Sequence, residues 1–332
     1  MRQPPLHEWS ALRGTARPLS GGLINDTFVV GDPPVGVVQR LHPVFGAAVN
    51  EDIDAVTKHL AEQGMVTPRL MRTDGGAAFV EQDGIWRALT WVDGVTHHKL
   101  DDVALAAEAG RLVARWHTAT DALEHSFAFS RPLAHDTRHH MSVLLKALES
   151  HREHPLLDRV RPLAHGILGD WASWSGRLDH PTRVCHGDLK ISNLHFDEDG
   201  RGICLLDLDT MGWLSLDVEL GDAWRSWCNP AAEDSDDTRF DLSLFEASAL
   251  SYLDEREVDP ATRASLPQGV QRICLELSAR FAADALNENY FGWDAARFPS
   301  RGHHNLLRAQ GQFALARSVK SQLPEMRRIL DR

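Results

Sequence analysis

Cysteine is scarce in these 332 residues: Cys185, Cys204, Cys228 and Cys274 stand apart, with no CxxC pair and no framework spacing. Scattered cysteines in a chain of this length read as reduced thiols of a cytoplasmic protein, not as a disulfide scaffold or a zinc site. No apolar run approaches the ~18 residues that suggest a membrane span. The opening Met1-Arg2-Gln3-Pro4-Pro5 leads into no apolar segment of the kind a secretory signal carries, so neither export nor a membrane partner is expected. Basic residues are the minority: 35 Lys+Arg against 47 Asp+Glu leave a net charge of −12, which argues against a nucleic-acid backbone as partner. No G-x-x-x-x-G-K-[ST] occurs, so P-loop chemistry is excluded. His135 and His139 have HxxxH spacing but lack the glutamate of a zinc-protease helix, so they are not read as metal ligands. Internal repeats and low-complexity segments are missing too. Only two tyrosines accompany ten tryptophans, whose default role is core packing, with a few left to stack on a ligand.

What is present is ordinary globular material, 43% hydrophobic and 25% charged. At about twice the ~150-residue prior for one domain, it predicts a two-lobed unit. The first ninety residues are strand-rich. Strands are expected at 19–22, 27–30, 35–41, 77–82 and 85–92, with a tight Asp83-Gly84 turn before the last. Apolar residues at Val49, Ile53, Val56 and Leu60 mark a helix over 47–63. Beyond Asp93-Gly94 the chain turns helical, with helices expected over 103–123 (opened by Asp101 and Asp102), 141–150 and 168–178. A strand–loop–strand unit spans 183–209, followed by mainly helical sequence from 220 and a solvated acidic loop at 233–237. The expected organisation is an N-lobe over 1–92, a hinge at 93–95 and a helical C-lobe over 96–332.

The most informative segment is Val184-Cys185-His186-Gly187-Asp188-Leu189-Lys190-Ile191-Ser192-Asn193-Leu194, where an apolar strand delivers His-x-Asp and an Asn follows five residues later. Fourteen residues after that Asn, a second apolar strand ends in Asp207-Leu208-Asp209. Phosphoryl transfer needs a carboxylate to orient the acceptor hydroxyl and take its proton. It also needs an amide oxygen and a second carboxylate to hold Mg²⁺, and a cation to neutralise the transferring group. Asp188, Asn193, Asp207 and Lys190 supply those roles in that order.

The string HGDLKISN resembles the catalytic loop of the protein-kinase-like superfamily. Asp207 is followed by Leu-Asp instead of Phe-Gly, and no Ala-Pro-Glu follows, so the segment that receives a peptide is missing. The HGD form is similar to the aminoglycoside phosphotransferase and choline kinase branch. Within it, LLDLDT at 205–210 with Gly221-Asp222-Ala223-Trp224-Arg225, the stretch Val37-Val38-Gln39-Arg40-Leu41, and the segments around Arg280-Phe281, Tyr290-Phe291 and Asn305 to Ala309 resemble N-acetylhexosamine 1-kinase-like proteins. Where those proteins continue with a Met-Pro-Gly turn, this chain reads Met211-Gly212-Trp213.

The resemblance implies an α+β, protein-kinase-like fold and ATP- and Mg²⁺-dependent phosphorylation of a small hydroxyl acceptor, foremost a sugar or amino sugar, at the anomeric position. An amine-bearing acceptor (aminoglycoside, choline or homoserine) stands as the alternative, and a catalytically idle nucleotide-binding regulator as another. Asp188 and Lys190 are the expected catalytic groups and Asn193, Asp207 and Asp209 the metal ligands, with His186 steadying the loop from inside. The glycine-bearing connection with Gly21, Gly22, Asn25 and Thr27 is expected to cover the phosphates. If Val38 packs over the nucleotide, Arg40 on the same strand face reaches those phosphates. Its carboxylate partner is sought at Glu51 or Asp54, Glu51 being favoured. Backbone groups of Trp91 and Val92 are expected to bind adenine. Acceptor-side candidates are Trp213, Asp217, Glu219, Asp222 and Trp224. One of the three acids is equally expected to cap a helix instead.

Overall fold

A computed structural model describes residues 3–19, 25–131, 133–231, 234–235 and 238–332. Gly21 and Gly22 lie outside them, as does most of the acidic segment 233–237.

The N-terminal region is an antiparallel sheet built from β1 (Ala16–Pro18), β2 (Asp26–Gly31), β3 (Pro34–Arg40), β4 (Leu70–Met71), β5 (Val80–Glu81) and β6 (Ile85–Thr90), with α1 (Val49–Glu62) between β3 and β4. Its order is β1-β2-β3-β6-β4, and β5 pairs with β6 across the Asp83-Gly84 turn, both of whose residues take positive φ. Alternation splits this sheet into two faces. Phe28, Val30, Val38, Trp86 and Ala88 point to a face closed by Trp9 and Leu12 of the N-terminal segment, forming a small core of their own. The row Thr27–Gln39–Arg87, paired across β2, β3 and β6, points to the other face, toward the helical region.

β7 (Val95–Thr96) already belongs to the second region, where it joins β9 (Leu194–Phe196) and β10 (Gly202–Leu205); β8 (Thr182–Cys185) pairs with β11 (Gly212–Ser215). Around these ribbons pack α2 (Val103–Thr120), α3 (Thr137–Ser150), α4 (Leu157–Ala172), α5 (Leu216–Trp227), α6 (Leu242–Glu255), α7 (Pro260–Asn287) and α8 (Arg301–Leu330). Asp102 caps α2 through its side chain, as its position before an apolar periodic run predicts. α7 is the buried axis, touching α3, α4, α5 and α8. Its crossing with α5 is close because two glycines meet there. A Cβ on Gly269 would sit 2.2 Å from the Asp217 carbonyl oxygen, so neither backbone could approach with a larger residue.

Two expectations are corrected. The helix sought over 168–178 runs instead over Leu157–Ala172. Trp174 continues the helical spacing past the end of α4, but it stacks on Trp171 of the last turn at 5.1 Å. The Met211-Gly212-Trp213 turn is not a turn: Gly212 and Trp213 lie in β11, paired with Cys185 and Val184.

Candidate active site

β8 carries Val184 and Cys185 into the core and so delivers His186, Gly187 and Asp188 to the edge of the interior. His186 is fully buried, its Nε2 2.8 Å from the Leu206 carbonyl oxygen, which makes it a brace between the loop and the strand carrying Asp207. From below, both oxygens of Glu219 on α5 accept backbone N–H groups, 2.7 Å from His186 and 2.9 Å from Gly187. Burial pushes the Glu219 carboxyl up despite those donors. From above, the Thr210 hydroxyl donates to the His186 carbonyl at 2.9 Å. Gly187 has φ +80°, and a Cβ there would lie 2.4 Å from the Thr210 carbonyl oxygen, so only glycine fits this bend.

The predicted quartet assembles. Lys190 Nζ donates to Asp188 Oδ2 at 2.7 Å and lies 3.7 Å from Asp207 Oδ2. Asn193 Nδ2 donates to the Asp188 carbonyl at 2.8 Å and to its Oδ2 at 3.1 Å. The Leu206 N–H donates to the Asn193 carbonyl at 2.8 Å, which ties the loop to the second strand. Burial alone would raise the Asp188 carboxyl, but Lys190 overrides it and holds the group below the ordinary range. Asp207 differs. Burial first, then the facing carboxylates of Asp209 and Asp188, push it up to about 6 against the pull of Lys190. Its backbone is left-handed, with φ 59° and ψ 58°, a strained setting for a non-glycine residue that aims the side chain at the loop.

The nucleotide side departs from expectation. Val38 is not free to cover a nucleotide; it lies in the small outer core with Trp9 and Phe28. Arg40 shares that outer face, donating to the Asp83 carbonyl at 2.7 Å and pairing with Asp26 at 3.5 Å. Neither Glu51 nor Asp54 meets it, because both pair with Arg72. The cation on the inner face is Arg87, which the sequence reading missed. Asp209, expected at the metal, is 1% exposed and holds Arg87 through both of its oxygens. Asn25 donates to Asp209 Oδ2 at 2.7 Å, and its own Oδ1 accepts from the His42 N–H at 2.9 Å. The Thr27 hydroxyl accepts from Gln39 Nε2 at 3.2 Å. Trp91 Nε1 donates to Asp93 at 2.7 Å, and the Val92 carbonyl lies 3.1 Å from His195 Nε2.

On the acceptor side, Trp224 is buried edge-on against Phe245, with centroids 4.9 Å apart, and is a core residue. Asp217 is buried 3.6 Å from Arg272 of α7, and Glu219 serves the loop from behind; neither faces an acceptor. Trp213 is 51% exposed on β11. Asp222 remains close to the chemistry: it is paired with Arg225 at 2.8 Å, and the two act electrostatically on Lys190 and Asp188 respectively. Beside them stands His135, 3.5 Å from the Gly187 carbonyl oxygen and 3.2 Å from Glu276 Oε1. Glu276 Oε2 accepts from the Thr137 hydroxyl at 2.6 Å. Burial opposes charging His135, yet its Glu276 partner raises it above the ordinary histidine value; burial likewise opposes charging Glu276, and His135 holds it low. His135 was visible in the sequence only as half of an unconvincing HxxxH. Glu276 carried no local signal.

Whether a divalent cation suits this site is decided by its donors. Two carboxylates, Asp188 and Asp207, flank the Lys190 ammonium, and the Asn193 side chain lies against Asp188; carboxylate and amide oxygens are hard donors of the kind Mg²⁺ accepts. Burial first, and then the neighbouring carboxylates, raise Asp207, and a bound cation would favour its ionised form. The residues present fit the ion.

Comparison with known proteins agrees with this geometry. The whole fold is similar to an aminoglycoside phosphotransferase from Alicyclobacillus acidocaldarius, with TM-score 0.63 and 15% identity over 96% of this chain and 95% of that one. It is also similar to a microcompartment-associated aminopropanol kinase, with TM-score 0.64 and 18% identity over 96% of each chain. An amicoumacin kinase in complex with AMP-PNP, Ca²⁺ and Ami matches with TM-score 0.62 and 12% identity over 92% and 90%. At such identities these likenesses speak for a shared protein-kinase-like fold. The model of the phosphotransferase enzyme family matches residues 15–257, most of the chain and all of the quartet, so the protein belongs to that family and is a small-molecule phosphotransferase with a hydroxyl acceptor.

Proposed function

We propose that the protein transfers the γ-phosphoryl group of ATP, with Mg²⁺, to a hydroxyl of a sugar or amino sugar, the anomeric hydroxyl first. The observation that carries the reading is the convergence of Asp188, Lys190, Asn193 and Asp207 from two strand ends. Asp188, kept ionised by Lys190, orients the acceptor hydroxyl and accepts its proton as the oxygen attacks the γ-phosphorus in line with the departing ADP. Asn193 and Asp207 would hold Mg²⁺, which when bound neutralises charge on the phosphates. Lys190 stays protonated beside two carboxylates and sets its positive charge against the transferring group.

The acceptor class follows from how the nearby acids are occupied. Asp222 is neutralised by Arg225 and Glu276 by His135, so this side offers paired donors and acceptors. Such groups suit the hydroxyls of a sugar, whereas an ammonium acceptor calls for an unpaired carboxylate. A coupled ADP-release screen across sugars, amino sugars, aminoglycosides, choline and homoserine tests this. We expect turnover with at least one hexose or amino sugar; turnover confined to the amines rejects the sugar reading. ATP turnover with no acceptor in any class rejects acceptor phosphorylation within these classes.

A further inference from the structure

We infer that Asp209 is not a metal ligand but the C-terminal half of a latch between the two regions, in which Arg87 and Asn25 set the nucleotide-facing side of the sheet against Asp207. The inference rests on the quartet being a kinase site, and it reassigns the residue that the Asp207-Leu208-Asp209 pattern would place at the ion.

Three observations converge. First, both oxygens of Asp209 are engaged by protein donors. Oδ1 accepts from Arg87 Nη1, and Oδ2 accepts from Arg87 Nη2 at 2.9 Å and from Asn25 Nδ2 at 2.7 Å. Second, Arg87 is aimed there by its own strand neighbour. Gln39, directly across the β3–β6 ladder, accepts from Arg87 Nε at 2.9 Å and Nη2 at 2.7 Å, locking the guanidinium plane. A fork held at both ends has little freedom to leave. Third, the contacts join elements far apart in sequence at the mouth of the site. Asn25 immediately precedes β2, Arg87 lies on β6, and Asp209 follows Asp207 by two residues in a short helical turn.

The ion pair is dry, with both side chains at 1% exposure or less. Breaking one half of such a pair leaves a buried charge, whereas replacing both by apolar groups is tolerated better. A hydrogen-bonded pair of this kind fixes geometry more than it adds stability. Its function is then positional: without it the sheet can still fold on its outer core, but the nucleotide side loses its register with Asp207.

A latch and a metal ligand respond differently when the metal is withdrawn. ATP affinity of the full-length protein is measured by calorimetry in EDTA and again in Mg²⁺, for Asn25→Ala, Asp209→Asn, Arg87→Lys and the double change Arg87→Met with Asp209→Leu. The latch requires Asp209→Asn to weaken ATP at least tenfold in both media, leaving the gain on adding Mg²⁺ unchanged. Asn25→Ala, which spares the ion pair, should weaken ATP about threefold in both. Arg87→Lys should bind ATP better than the double variant, because it keeps the charge. If Asp209→Asn does not fold, Asn25→Ala and Arg87→Lys decide. Unchanged ATP affinity of Asn25→Ala overturns the latch. So does an Asp209→Asn protein that binds ATP normally in EDTA but loses the Mg²⁺ gain, as Asp207→Asn should. Should Asp207→Asn itself keep the full Mg²⁺ gain, it is the kinase-site reading that fails, and the latch with it.

Discussion

Lys190 reaches back two residues to Asp188, with Nζ 2.7 Å from Oδ2, and so forms an ion pair inside the loop that follows β8. The same ammonium lies within 3.7 Å of Asp207. One cation therefore keeps Asp188 ionised and lessens its repulsion with Asp207.

Removing that cation should move the base. In Lys190→Met, Asp188 keeps its burial and loses the charge that held it low, so its pKa rises. The acid limb of the kcat–pH profile should shift to higher pH, and kcat at neutral pH should fall on the order of 10²–10³, the range for losing one group that stabilises transition-state charge. An unshifted acid limb would mean that Lys190 does not set the state of Asp188.

Asp188→Asn preserves shape and removes the proton acceptor. Turnover should drop by at least ~10² while ATP affinity changes little, since the side chain acts on the acceptor and not on the nucleotide. Single-turnover assays with the best acceptor from the screen check both halves. Activity within a few-fold of the parent assigns the orienting role elsewhere.

Asp207→Ala addresses the metal. ATP at a hundredfold excess over its dissociation constant should stabilise the parent by about 2.7 kcal/mol. With Asn193 and Asp207 at the ion, most of that stabilisation should depend on Mg²⁺, and that Mg²⁺-dependent part should vanish in the variant. The readout is the ATP-induced Tm shift with and without EDTA.

Much of this site is contiguous, which is why it is legible in one dimension. His186, Asp188, Lys190 and Asn193 lie on a single loop, and Asp207 ends the next apolar strand but one. What pairs across the molecule is not legible. Arg87 meets Asp209 from 122 residues away, and nothing local marks their pairing. The error over Arg40 is one of parity. Both faces of the N-terminal sheet are covered, one by the segment bearing Trp9 and Leu12, so the alternation around Val38 shows two buried sides and does not say which faces the nucleotide. The acids after Asp207 were over-assigned for a similar reason. Composition groups Asp217, Glu219 and Asp222 in one place, but a helix points them in different directions: to Arg272, to the loop amides and to Arg225.

The His135–Glu276 pair predicts a stability profile. His135 is raised above 6.5 in the folded protein, so its contribution is complete below that value and is lost as pH rises through the folded pKa. Glu276 is held below 4.5, so its contribution is present above that value and is lost as pH falls through its folded pKa. Together they favour the interval between, from about pH 4.5 to 6.5. Melting curves should show the parent losing roughly 1–2 °C more than His135→Gln between pH 6 and 8.5, the scale of about 1 kcal/mol in a chain this large. Parallel curves would show that the pair is not charged in the folded state.

The anomeric hydroxyl is the most specific expectation. A pocket whose acids are already paired recognises hydroxyls through directed hydrogen bonds, and such a site rejects analogues that lack one. Asp188 must reach the reacting hydroxyl to take its proton, so blocking that oxygen removes the nucleophile and not only a binding contact. The methyl glycoside of the best sugar should therefore show no turnover while still competing with the free sugar. A deoxy sugar altered elsewhere on the ring should lose kcat/KM by about 10² or less through binding alone. Phosphorylation of the methyl glycoside at an undiminished rate would place the attack at another hydroxyl. A kcat/KM for choline, homoserine or an aminoglycoside a hundredfold above every sugar would hand the pocket to an amine, and Asp222 would then have to exchange Arg225 for the substrate's own cation.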